Sequence, residues 1–168
     1  PSIRVGAQIA EVIRVKKRAS RREARRRAVE LLAAVHLRNP ALVYEQYTYE
    51  LSGGMLQRVL IAAAIAADPA VLIADEATTA LDVIVQAEIL DLLADLRERT
   101  GLALLVVSHD LAVIAQLCDE VLVLRNGEVV ERGTTADVLQ DPQHEYTRLL
   151  ITEHEQYGLE KYLEAADV

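Results

Sequence analysis

The feature that most narrows the fold is a pair of short, unbroken apolar runs, "AVLIADE" at 70–76 and "LALLVVS" at 102–108. Runs of this length read as strands buried on both faces, the pattern of a parallel sheet. Between them, Val83 to Arg99 sets Ile89, Leu92, Leu93 and Leu96 on one side of a helix, and Thr100-Gly101 closes it. Strand, crossover helix and strand place the chain in the α/β class. At 168 residues and 52% hydrophobic, it can hold about one domain with a sizeable core.

A helical section precedes this unit. One helix is expected over Val5–Val15, with Ile9, Val12 and Ile13 on one face. A second is expected from Ser20 to His36, turning Val29, Leu32 and Val35 inward. Ser20-x-x-Glu23 is a capping-box pattern at its start, and Asn39-Pro40 ends it. "YEQYTYE" reads as an irregular approach to a third helix, which runs from about Gly54 to Ala67 and stops at Asp68-Pro69. After the second strand come a short helix in "DLAVIAQLC", a hairpin turning at Asn126-Gly127, and two terminal helices in "TADVLQDP" and "HEYTRLLI".

Several classes of protein are excluded by composition. No apolar run approaches the ~20 residues of a membrane span. The start, "PSIRVGAQ", lacks the charged-then-apolar order of a secretory leader. The single cysteine, Cys118, rules out an internal disulfide and reads as a small core hydrophobe. Net charge is −8, yet residues 16–27, "KKRASRREARRR", hold eight basic residues and one acid, leaving −15 for the rest. No aromatic residue lies in that run for base stacking, so it is read as a solvated helix start and connection.

Chemistry concentrates in "LSGGMLQR" at 51–58. Two glycines at the opening of a helix, behind a Ser52 N-cap, leave backbone N–H groups and the positive helix end bare to an anion. Seventeen residues after Arg58, Asp75 and Glu76 stand at the tip of the first strand. Open α/β sheets bind ligands at such tips. Asp75 suits Mg2+, which keeps most of its waters, and Glu76 suits orienting or deprotonating a water for attack on a phosphoryl group. His109 follows the end of the second strand and is expected at the same sheet edge.

Taken together, "LSGGMLQRV", "VLIADEATTALD" and "VVSHD" resemble the signature motif, the Walker B strand with catalytic Glu and D-loop, and the switch histidine of ATP-binding cassette (ABC) ATPases. The resemblance covers Pro1 to about Ile151. It implies an ABC-type P-loop NTPase fold of α/β class, with 1–68 as a helical subdomain and 69–151 as the C-terminal part of the RecA-like core. Residues 152–168 form a tail. It also implies that Ser52, Gly53, Gly54 and Met55 contact the γ-phosphate of ATP held by a partner domain. Asp75 would serve Mg2+, Glu76 would be the catalytic base, Asp82 would communicate across the dimer, and His109 would sense the γ-phosphate. Met55 in place of the commoner Gln, with "CDEVLVLRNGEVVERG" and "DPQHEYTRLLI", resembles the oligopeptide, dipeptide and nickel importer branch. Ala77 stands where the family commonly has Pro, which implies a looser strand exit.

The glycine-rich loop ending in Gly-Lys-Ser/Thr does not occur. None of the three lysines, Lys16, Lys17 and Lys161, follows Gly or precedes Ser or Thr. The chain is therefore expected to be a fragment lacking the Walker A region, inactive alone, with one strand facing an open apolar edge. The implied role is an energy-coupling subunit of an ABC importer that binds and hydrolyses ATP with Mg2+. It would work at the cytoplasmic face of the membrane, paired with a second nucleotide-binding domain and permease subunits, without nucleic acid. Two alternatives stand beside it: a non-transport ABC ATPase of the DNA-repair or translation type, and a non-catalytic docking fragment.

Overall fold

The computed structural model describes residues 2–79 and 81–154. The chain divides into two compact units, Pro1–Leu105 and Val106–Val168.

The first unit opens with helices α1 (Val5–Lys17) and α2 (Arg21–Ala34). Ser20 caps α2 by accepting the Glu23 N–H at 3.2 Å, as the capping pattern predicts. Ile9, Ile13, Leu32 and Val35 are almost fully buried, so apolar residues at helical spacing form the seam between these helices. The Asn39-Pro40 pair behaves differently from the sequence expectation. Pro40 opens a further helix, α3 (Pro40–Glu45), where its fixed φ and missing N–H suit the first helical position. The stretch read as irregular, residues 44–50, thus begins with the last two residues of α3 and ends in a single 3-10 turn at Thr48–Glu50. Glu45, at the end of α3, takes Arg25 at 2.7 Å and also Arg4. Those hydrogen bonds, Arg25's first, hold its carboxyl below the usual range.

Helix α4 (Gly53–Ile65) follows, then strand β1 (Val71–Asp75), helix α5 (Val83–Thr100) and strand β2 (Ala103–Val107), which pairs with β1. The connection through α5 has the length that parallel neighbours need. Ile89, Leu92, Leu93 and Leu96 are all buried, as the helical spacing predicts.

The strands themselves correct one expectation. Neither is buried on both faces. In β1, Leu72 and Ala74 are buried while Val71 and Ile73 are 53% and 64% exposed, and Leu105 and Val107 of β2 are about half exposed. Side chains alternate across a strand, and no described residue covers the outer row, so a continuous apolar sequence ends up half wet.

The second unit holds α6 (Leu111–Leu117), strands β3 (Glu120–Arg125) and β4 (Glu128–Thr134), α7 (Thr135–Gln140) and helical residues 145–154. The hairpin turns at Asn126 and Gly127, both with positive φ, the geometry that Asn-Gly favours. The β3–β4 register slips between Val123 and Leu124. Cys118 is only partly buried, unlike the core position expected for it, because it lies in the turn between α6 and β3. Its carbonyl accepts the Thr135 hydroxyl at 2.7 Å.

Candidate functional site

The site is built around the start of α4. Ser52 is the N-cap, its hydroxyl accepting the Met55 N–H at 3.4 Å and its carbonyl the Leu56 N–H at 2.9 Å. The first N–H groups of a helix have no partner within it, so those of Gly53 and Gly54 face outward at the positive helix end. The two glycines are not equivalent. A Cβ on Gly53 would meet only Leu81 Cδ2, at 3.6 Å, which is ordinary contact. A Cβ on Gly54 would stand 2.6 Å from Val85 Cγ1. Gly54 is therefore required by the packing of α4 on α5, whereas Gly53 is exposed and keeps its backbone open.

Arg58, one turn further along α4, is the residue that sequence reasoning passed over. It is buried, donating to the Val35 carbonyl at 3.0 Å and to the Glu88 carboxylate at 2.7 Å. One guanidinium thus ties α4 to the end of α2 and the flank of α5. The signal was present in the sequence: a lone cation entering "VLIAAAIAA" must find partners if its helix is buried.

The acidic pair lies at the end of β1. Asp75 is exposed. Glu76 is exposed and takes the left-handed backbone, φ +50, a conformation costly for a residue with a Cβ and concentrated at functional sites. Its corner is tightened by Thr79, whose N–H donates to the Glu76 carbonyl at 3.2 Å and whose hydroxyl donates to the Glu76 carboxylate.

Asp82 is the N-cap of α5, accepting the Val85 N–H at 3.0 Å. Beside it, Val83 and Ile84 are 78% and 74% exposed. The structure thus brings the opening of α4 (Gly53, Gly54 and Arg58) against Leu81, just before the Asp82 cap, and against Val85 and Glu88 of α5. Asp75 and Glu76 precede Leu81 by a few residues. His109 belongs to the second unit. It is exposed, between Ser108, whose hydroxyl accepts the Asp110 N–H at 3.0 Å, and Asp110, which caps α6 at Ala112.

The donor set suits a magnesium ion shared with phosphate oxygens. Asp75 is an accessible oxygen donor, and no group of three or more His, Cys, Asp or Glu among the described residues forms a complete cage. Mg2+ takes one or two carboxylates and completes its shell with water and substrate phosphates. No helix among the described residues is long and apolar enough to cross a membrane.

A helix opening bared by glycine, packed beside the capped segment that follows an acidic strand tip, fits the fold of nucleotide-binding cassettes of the ABC type. The family model described as ABC transporter matches residues 3–79. Among curated proteins it is 46% identical to the "Probable D,D-dipeptide transport ATP-binding protein DdpD" of Escherichia coli K12, over 97% of this chain and 50% of that one. It is 45% identical to the glutathione import ATP-binding protein GsiA of the same organism, over 98% of this chain and 26% of that one. The solved dimer of MJ0796, a bacterial ABC transporter cassette, matches with a TM-score of 0.70 and 33% identity, covering 80% of this chain and 58% of that one. The chain spans half or less of the length of these curated relatives.

Proposed function

We propose that this chain carries the signature, Walker B, D-loop and switch segments of the energy-coupling ATPase subunit of an importer for peptides or a related small solute. The observation that carries the reading is the packing of the signature opening, Gly53 and Gly54, on Leu81 and Val85 just after the acidic pair. That contact makes the phosphate-contacting and water-activating segments parts of one block. The relatives named as dipeptide and glutathione import proteins favour the importer branch.

In this reading Ser52, Gly53, Gly54 and Met55 direct backbone N–H groups and the helix dipole at the γ-phosphate of an ATP bound to a second nucleotide-binding domain. Asp75 holds Mg2+, which supplies charge neutralisation for the phosphate oxygens. Glu76 accepts the proton of the attacking water, and Thr79 keeps its carboxylate oriented. Asp82 relays between the two domains, with Val83 and Ile84 offering apolar surface to the partner. His109 contacts the γ-phosphate. Closure of the paired domains then drives membrane permease subunits from the cytoplasmic face.

The test is Glu76→Gln in the complete ATP-binding protein. Hydrolysis should fall by about a hundredfold or more, the usual contribution of a general base, with ATP binding retained. Unchanged turnover would remove Glu76 from the mechanism.

A further inference from the structure

We propose that the elbow joining α1 to α2 is a docking surface for the anionic headgroups of a phospholipid bilayer. Three of the eight cations of the basic run are paired internally: Lys17 with Asp68, Arg25 with Glu45, and Arg26 with both Glu23 and Glu30. Lys16, Arg18, Arg21 and Arg22 are different. All four are exposed, and none has an acidic partner among the described residues. They fall within seven consecutive residues around one bend.

Helix stability does not account for three of them. Lys16 sits in the last turn of α1, where the helix dipole favours a cation. Arg21 and Arg22 occupy the first turn of α2, where the dipole opposes positive charge. Arg18 takes the left-handed conformation at the C-cap of α1, φ +53, a position that suits Gly or Asn. Three local choices thus run against helical preference, and each adds charge to the same corner. Departures of this kind collect at functional surfaces.

The chemistry favours a lipid plane. Val15, next to Lys16, is 66% exposed, and an apolar side chain beside a cation cluster suits the boundary between headgroup and acyl chain. The run has no aromatic residue on which a base could stack. The −15 carried by the rest of the chain is repelled by an anionic plane, so contact is confined to the elbow and the chain is oriented by it. The choice of a membrane as partner rests on the transport reading above, but its test needs no nucleotide.

The purified chain is sedimented with vesicles of phosphatidylcholine, with and without phosphatidylglycerol, across a salt series. Binding should require phosphatidylglycerol and weaken with salt. Neutralising Lys16, Arg18, Arg21 and Arg22 to Gln should weaken it by about a hundredfold or more. The Arg21→Gln/Arg22→Gln pair, which disturbs no buried contact, should weaken it by about tenfold or more, and the charge-matched Arg38→Gln/Arg132→Gln pair by less than about twofold. The proposal is overturned by vesicle binding indifferent to phosphatidylglycerol, by equal loss in the two pairs, or by tighter binding to duplex DNA or RNA than to the vesicles. A negative result leaves the ATPase reading intact, since that is judged by Glu76→Gln.

Discussion

Gly54→Ala offers a sharp test of the packing that places the signature helix. Replacing Gly by Ala in a helix ordinarily stabilises it by up to ~1 kcal/mol. Here the new methyl would stand 2.6 Å from Val85 Cγ1, well inside van der Waals contact. Overpacking of that kind costs ~1–3 kcal/mol, so the variant should be destabilised by a net ~1 kcal/mol. Gly53→Ala is the control. Its nearest neighbour is Leu81 Cδ2 at 3.6 Å, and its stability should stay within ~0.5 kcal/mol of the parent or rise. Val85→Ala removes the obstacle, so Gly54→Ala made in that background should become neutral or stabilising. The coupling should be ~1–3 kcal/mol. Urea denaturation of the four proteins, followed by far-ultraviolet circular dichroism, reads each term. A Gly54→Ala protein as stable as the parent, or strict additivity with Val85→Ala, would refute the close approach of α4 to α5.

Two further outcomes follow from named contacts. Arg58→Ala should lose ~2–3 kcal/mol in the same assay, since hydrogen bonds of charged groups are worth ~1.5–3 kcal/mol and the Val35 carbonyl loses its donor. Glu88→Gln should lose under ~1 kcal/mol, because the Glu88 side chain is 58% exposed. In the second unit, burial pushes the Glu131 carboxyl up, but the N–H groups of Gln143 and His144, donating to it at 2.7 and 3.1 Å, outweigh that and hold it below 4.5. A depressed folded value stabilises above the unfolded one, and that stability is lost as pH falls through the folded value. The urea midpoint should therefore drop on acidification below about pH 4.5, and Glu131→Gln should flatten that acid limb.

The elements most legible in the sequence were those whose local signals agreed. Ser20 and Glu23 announced α2, Asn126-Gly127 announced the hairpin, and the spacing of Ile89, Leu92, Leu93 and Leu96 announced the buried face of α5. Helix α3 was missed because Pro40 can end one helix or begin another, and only the chain around it decides which. The strand faces were misjudged because an apolar run such as "AVLIA" records what each side chain prefers, not whether a second layer is present to cover Val71 and Ile73. At the candidate site, motif spacing singled out Ser52, Gly53, Gly54, Asp75, Glu76 and Asp82. It could not separate the two glycines, since the demand on Gly54 comes from Val85, 31 positions away in the chain. It also gave no hint of Thr79 as the brace for Glu76, because that hydroxyl matters only once the corner has formed.

The left-handed corner at Glu76 sets comfort against purpose. Glycine or asparagine would rest there with less torsional resistance than glutamate, so the backbone alone would welcome a residue with no acid to offer. A variant library ranked solely by heat tolerance should therefore drift away from glutamate at this one position, discarding the carboxylate that the proposed mechanism uses as proton acceptor.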